Sequence, residues 1–357
     1  MGKRTTPKAS TRENKIKFSH LRYRLIILTR FLTIRRVSNL LLNQWEYLFR
    51  KARLRSLPRS LSLELTNICN LRCPSCPTHT QSSSRKRKIV TYRQFAYLVR
   101  KFKGFMYNFA IGANGEITII PGIEKYVSLG RKNNLFITAD TNLNCSRETI
   151  KKLFLAGINM VNISLDGTSQ RSYGRYRIGG NFKRVFENMA YLVKLKRKNK
   201  SFFPIVQWQL IVNKFNESEV EKARKMAIQV GIDQFRTGLP FIPGGDDYFF
   251  GDNPKIVEQF SRRFLPTGSQ YQIKDRVALL ACYQPFSELQ ILNNGDVIPC
   301  CRLREKGVVL GNIFKKPLIR IWNNAGFIYF RRQLKKQGRR PHCAVCLKNM
   351  TDWQKKK

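Results

Sequence analysis

Acid is what this chain is short of. Against 67 Lys and Arg stand only 22 Asp and Glu in 357 residues, a formal charge of +45. The excess is not confined to a tail: residues 1–60 hold 16 Lys and Arg with 2 Glu, and the remainder carries a net +31. Such a field attracts anions, whether nucleic acid, phosphorylated metabolites or acidic lipid. A merely solvated basic surface reads the same numbers equally well. Histidine is scarce too. Of three in the chain, His79 follows a cysteine loop but pairs with nothing by spacing, which reads as a loop residue. No run approaches the ~18 apolar residues of a membrane span. The opening residues, Met1 to Lys8, are polar and lack the apolar core of a signal peptide. A cytoplasmic protein is expected, in which the nine cysteines stay reduced and their clusters read as metal ligands.

What is there begins with an alternating apolar run, Leu61, Leu63 and Leu65, the pattern of a buried strand. Directly after it come Cys69, Cys73 and Cys76, spaced Cys-x3-Cys-x2-Cys. A tight loop at a strand end can bring three sulfurs to one point, and no fourth protein ligand lies nearby. Structural zinc takes four closed ligands and an iron–sulfur cluster normally takes four thiolates, so three imply a cluster with one iron left open.

At these residues the sequence resembles the radical S-adenosylmethionine (SAM) superfamily, whose signature is this cysteine spacing. The resemblance implies a 4Fe-4S cluster on Cys69, Cys73 and Cys76, with SAM chelating the open iron. It implies a flavodoxin- or ferredoxin-like electron donor, reductive cleavage of SAM to a 5′-deoxyadenosyl radical, and hydrogen abstraction from a substrate.

Six βα-type repeats follow from Leu61 to about Gly238, with helices expected at Tyr92–Lys103, Ile123–Lys132, Arg147–Leu155, Phe182–Lys198 and Asn216–Val230. Asn216 with Glu219 three residues on reads as a capping box. Parallel strands linked by helices carry functional groups at their C-terminal ends. The cysteine loop, Glu116, Asn142, Ser164 and Asp166 all fall at such ends. One site in an α/β fold is expected, and the resemblance makes that fold an open, partial (β/α)6 barrel. It also implies SAM contacts. Gly115 and Glu116 stand where the family binds the cofactor's amino group, and Ser164 in Ser-Leu-Asp-Gly where relatives hold the cofactor. Asn142 and Asp166 join them, and Arg177 meets the methionyl carboxylate or an anionic substrate. Ser75 stands before Cys76 where relatives often carry an aromatic residue. Gln209 is a further pocket candidate, and Cys145 reads as a buried structural thiol.

Outside the core (59–238), residues 1–17 read as a disordered basic tail. Residues 18–58 form a basic amphipathic helical extension, with Leu21, Leu25, Leu28 and Leu32 and then Leu40, Leu41, Trp45, Leu48 and Phe49 at helical spacing. That stripe is expected to pack on the catalytic domain and close one end of it; an anionic membrane surface is the alternative. Residues 239–281 read as a bridge in which Asp246 and Asp247 are rare acids, and 347–357 as a second basic tail. Between them, Asn293-Asn-Gly295 separates Ser287–Leu292 from Val297–Cys301, a strong hairpin signal. Cys282, Cys300, Cys343 and Cys346 supply four ligands, suited to zinc or to a cluster; Cys301 is the alternative to Cys300. Their order, with Leu310-Gly-Asn-Ile313 and Ile321-Trp322, resembles the SPASM/twitch auxiliary-cluster group, which implies a small hairpin-and-helix domain (282–346) with a second 4Fe-4S cluster. The substrate is not legible. A small anionic or sugar-like metabolite undergoing oxidation or epimerisation is favoured over a peptide or RNA. A metal-containing nucleic-acid-binding protein is the non-enzymatic alternative.

Overall fold

The computed structural model describes residues 23, 25–27, 29–76, 78, 85–240, 254–268, 282–301 and 307–336. His79, Asp246, Asp247, Cys343 and Cys346 therefore lie outside the described residues, as do both expected tails. Seven strands run parallel: β1 (Ser60–Leu63), β2 (Asn108–Ile111), β3 (Phe136–Thr141), β4 (Met160–Ser164), β5 (Ile205–Ile211), β6 (Gln234–Gly238) and β7 (Glu288–Ile291). The sheet order is β6-β5-β4-β3-β2-β1-β7-β8-β9, where β8 (Asp296–Ile298) and β9 (Gly311–Asn312) turn back antiparallel. The expected hairpin is present, and its first strand continues the barrel sheet beside β1. Ser62 faces Gln290 in register.

Local chemistry explains the elements. Thr91 and Gln94 close a capping box at the start of the helix Tyr92–Phe102. Phe95, Leu98, Val99 and Phe102, at helical spacing, are buried against the sheet. Ser146 caps Arg147–Ala156, which ends on Gly157 in the left-handed region. Leu61, Leu63 and Leu65 are fully buried, each contributing roughly 2 kcal/mol of apolar burial.

Two expectations fail here. Asn216 does not cap the following helix, which begins as a short 3-10 turn and becomes α-helical at Val220–Val230. Its amide instead donates to Asp166 O at 3.1 Å and Ile211 O at 2.9 Å, and accepts from Asn213 N at 2.7 Å. Buried loop carbonyls behind β4 and β5 need those donors more than the solvated helix start does. Glu219 likewise turns to Thr168 N and the Ser172 hydroxyl, both at 2.7 Å.

The second failure is larger. The N-terminal helix α1 (Ile34–Leu48) buries Arg36, Asn43 and Glu46 and exposes Ile34, Val37, Leu41, Trp45 and Leu48. Its inward side is polar because it feeds the backbone groups of irregular loops. Arg36 donates to the carbonyls of Phe31, Lys103 and Asn134, and Glu46 accepts from the amides of Arg55 and Ser56. Asn43 donates to Ser56 and to the carbonyl of Phe286. Apolar side chains could not satisfy these groups. Among the described residues of the expected stripe, Leu25, Leu41, Trp45, Leu48 and Phe49 face solvent and do not pack on the catalytic domain.

Candidate active site

At the C-terminal edge of the parallel strands lies a cavity of about 420 Å³. That size falls among small-molecule sites, which span roughly 300–1,000 Å³. Cys69, Cys73, Cys76, Gly115, Glu116, Asn142, Ser164, Arg177 and Gln209 all line it. Asp166 does not. It stands behind the wall, accepting from Arg177 Nε at 2.5 Å and from Ile211 N at 2.7 Å.

The cysteine loop is fastened to the neighbouring strand ends. Glu116 N donates to Ile68 O at 2.8 Å, and Gly115 passes so close that a Cβ there would lie 2.5 Å from Thr66 O. With φ at +66°, only glycine is comfortable at that position. Beneath the loop, buried Glu64 takes the Arg85 guanidinium at 2.6 Å and the Asn114 amide at 2.9 Å, tying β1 to the turn after β2.

Glu116 is itself buried, its carboxylate receiving Thr118 N at 3.0 Å, the hydroxyls of Thr118 and Thr141 at 2.7 and 2.5 Å, and Asn142 N at 2.7 Å. Four donors fix it in one orientation. Asn142 in turn reaches Asn70 Oδ1 at 2.8 Å and Cys69 Sγ at 3.7 Å. Arg177 Nη1 donates to Cys73 Sγ at 3.6 Å. Burial works against the charge of Arg177, yet Asp166 and then Cys73 hold its pKa well above the ordinary value. Burial likewise raises the Asp166 carboxyl, opposed by Arg177 and the Ile211 amide.

Burial pushes the Cys69 thiol up to about 12 and raises Cys73 as well. The protein alone therefore leaves these sulfurs protonated, and a cationic metal group must draw off the protons. Among the described residues no three His, Cys, Asp or Glu side chains are grouped to share a single metal ion. A cluster fits better than one ion, because each thiolate of a 4Fe-4S group binds a different iron. Cys145 is partly buried against the core, its thiol pushed up to about 12 mainly by burial.

Several lining residues escaped the sequence. Ser62, Asp140, Tyr176, Gln284, Glu288 and Gln290 are among them, and Cys301, expected only as an alternative cluster ligand, lines the cavity as well. Ser62 and Gln290 are inward-pointing strand positions between buried leucines and isoleucines, a pattern that reads as solvent-facing until the sheet closes. Tyr176 hydrogen-bonds Ser75 at 2.6 Å. Partly buried Asp140 accepts from Asn162 Nδ2 at 2.8 Å, and desolvation carries its pKa to about 6. The two adjacent cysteines part company. Cys300 is buried in the main hydrophobic cluster, whereas Cys301 sits at the cavity beside Gln284.

Residues 63–246, a little over half of the chain, match the family model described as the radical SAM superfamily. Residues 282–347 match one described as an iron-sulfur cluster-binding domain. The chain is 22% identical to an AdoMet-dependent heme synthase of Methanosarcina barkeri over 81% of its length and 88% of that protein's. It is 21% identical to a GTP 3',8-cyclase of Alkaliphilus oremlandii, covering 72% and 85%. Among solved structures, Streptococcus suis SuiB bound to precursor peptide SuiA matches with a TM-score of 0.60. Its identity is 15%, over 80% of this chain and 69% of that one. SuiB bound to S-adenosylmethionine gives a TM-score of 0.60 as well.

Proposed function

Because the chain belongs to the radical SAM superfamily and ends in an iron–sulfur domain, we propose that it abstracts hydrogen from a small, sugar-like metabolite, driving an oxidation or epimerisation. The core binds a 4Fe-4S cluster and SAM, and the C-terminal domain binds auxiliary iron–sulfur. Cys69, Cys73 and Cys76 would hold the first cluster, which would supply the electron for reductive cleavage of SAM to a 5′-deoxyadenosyl radical. A flavodoxin- or ferredoxin-like protein delivers that electron.

In this reading Cys69, Cys73 and Cys76 hold the first cluster. Gly115, Glu116 and Asn142 receive the amino end of SAM, Ser164 flanks it, and Arg177 takes the carboxylate. Asp166 acts through Arg177, keeping its fork aimed. Cys282, Cys300, Cys343 and Cys346 hold the auxiliary cluster. Cys300 is preferred to Cys301 because the Cys301 side chain already lines the main cavity.

One observation supports the substrate class: besides the three thiols of the loop, the lining includes Ser62, Asp140, Gln209, Gln284, Glu288 and Gln290. Amides, a hydroxyl and carboxylates suit a ligand rich in hydroxyl or amino groups. Arg177 is the one basic residue of the described lining, which argues against a phosphorylated substrate despite the charge of the whole chain. Gln290 Oε1 is buried with no partner among the described residues.

The SuiB likeness favours peptide modification as a second reading. Reconstituted enzyme, SAM and dithionite, incubated without oxygen with deuterated sugars or peptides, separates the two. Deuterium entering 5′-deoxyadenosine from a sugar-like compound is the expected result; deuterium from peptides alone contradicts it.

A further inference from the structure

A row of apolar side chains runs along the face of α1 turned to solvent, flanked by exposed Arg35, Ser38 and Gln44. Ile34 is 88% exposed, Leu41 65%, Trp45 46% and Leu48 67%, with Val37 between them and Phe49, 62% exposed, just beyond the end. These positions follow a spacing of three and four residues, so they form one stripe on a helix about 22 Å long. Exposing such a stripe while burying Arg36, Asn43 and Glu46 is unfavourable in water unless something covers it. Between residues 23 and 60 the only acid is Glu46, and it is buried. The same segment carries Arg30, Arg35, Lys51, Arg53 and Arg55, all exposed, with Lys51 Nζ 3.8 Å from the centre of the Trp45 ring.

We propose that this face docks the enzyme on an anionic lipid surface, with α1 lying in the interfacial plane. An exposed apolar stripe that includes Trp, in a segment rich in exposed Lys and Arg, is the arrangement that inserts among acyl chains while its cations meet headgroups. Charge selects this occupant. A second copy of a chain with net +45 would bring like charge against like, and a nucleic acid would leave the aliphatic stripe uncovered. No described helix is long and apolar enough to cross a membrane, so attachment would be peripheral.

The test is sedimentation of the full-length reconstituted protein with vesicles of 7:3 phosphatidylcholine:phosphatidylglycerol (about 0.1 M salt) and with phosphatidylcholine alone. Its partner is the variant Leu41→Ser/Trp45→Ser/Leu48→Ser, whose changes touch only exposed side chains. Unchanged 5′-deoxyadenosine formation in vesicle-free buffer certifies that the variant is folded. The expected outcome is binding to the anionic vesicles that falls about tenfold or more in the variant. Absence of binding by the unmodified chain overturns the proposal, as does equal binding to neutral vesicles or full binding by the variant. A dimer in sedimentation velocity that the variant dissolves would assign the face to a second copy. RNA binding lost in the variant would assign it to nucleic acid.

Discussion

Arg177 and Asp166 show how a residue can matter without facing the ligand. Asp166 never reaches the cavity, but it fixes the guanidinium that does. Asp166→Asn should leave fold and iron content intact while lowering SAM cleavage, by up to about 10²-fold if the fork drifts by an ångström. Arg177→Lys should lose at least as much, since one ammonium cannot reproduce the fork; 5′-deoxyadenosine formation measures both. Asp140 makes a prediction in pH. Its folded pKa of about 6 lies above the unfolded value of 3.8, so the native chain holds the proton longer. Stability should therefore fall as pH rises through that window, by up to roughly 3 kcal/mol. Asp140→Asn should flatten the decline, seen as a smaller Tm difference between pH 4.5 and pH 7. The sequence displayed Cys69, Cys73, Cys76, Glu116 and Arg177 through motif and strand-end position. It hid Ser62, Asp140 and Gln290, because a polar residue inside a strand looks the same whether it faces water or a closed cavity.

At the scale of elements, helices and strands were legible because their signals are local. Ile123–Lys132 and Phe182–Lys198 form within the bounds their periodicity sets. Pairing was not. Nothing near Glu288 announces that β7 will lie parallel to β1, more than two hundred residues away, and bring Gln290 beside Ser62. Periodicity alone also misplaced α1, because a stripe says which residues share a face and not which face turns inward. Asn216 failed for a related reason: the better use of its amide lies in a different loop. Asn216→Ala should strip two buried carbonyls of their donor and cost about 1–3 kcal/mol, read as a lower urea midpoint with an unchanged m value. Gly115→Ala should be worse for activity than for folding. The strained turn would pull Glu116 from Ile68, and SAM affinity should drop while most of the sheet remains.

For the whole molecule, charge and site point in different directions. A +45 surface surrounds a cavity whose described lining carries one cation and several carboxylates and amides. In the proposed reading the positive field serves docking and encounter with an acidic electron donor rather than the substrate. Raising salt should slow reduction by such a donor and leave dithionite-driven turnover nearly unchanged, a comparison that stopped-flow reduction can make. The barrel places three thiols, a clamped glutamate and an aimed arginine around one space, and that convergence is the core of the account. It is tested most directly by electron paramagnetic resonance of anaerobically reconstituted, reduced protein with and without SAM. The unmodified chain should give a cluster signal that shifts when SAM is added. In the triple variant Cys69→Ala/Cys73→Ala/Cys76→Ala the SAM-responsive part should vanish while the auxiliary signal stays. A signal indifferent to SAM in the unmodified chain, or a SAM response that survives the triple variant, would contradict it.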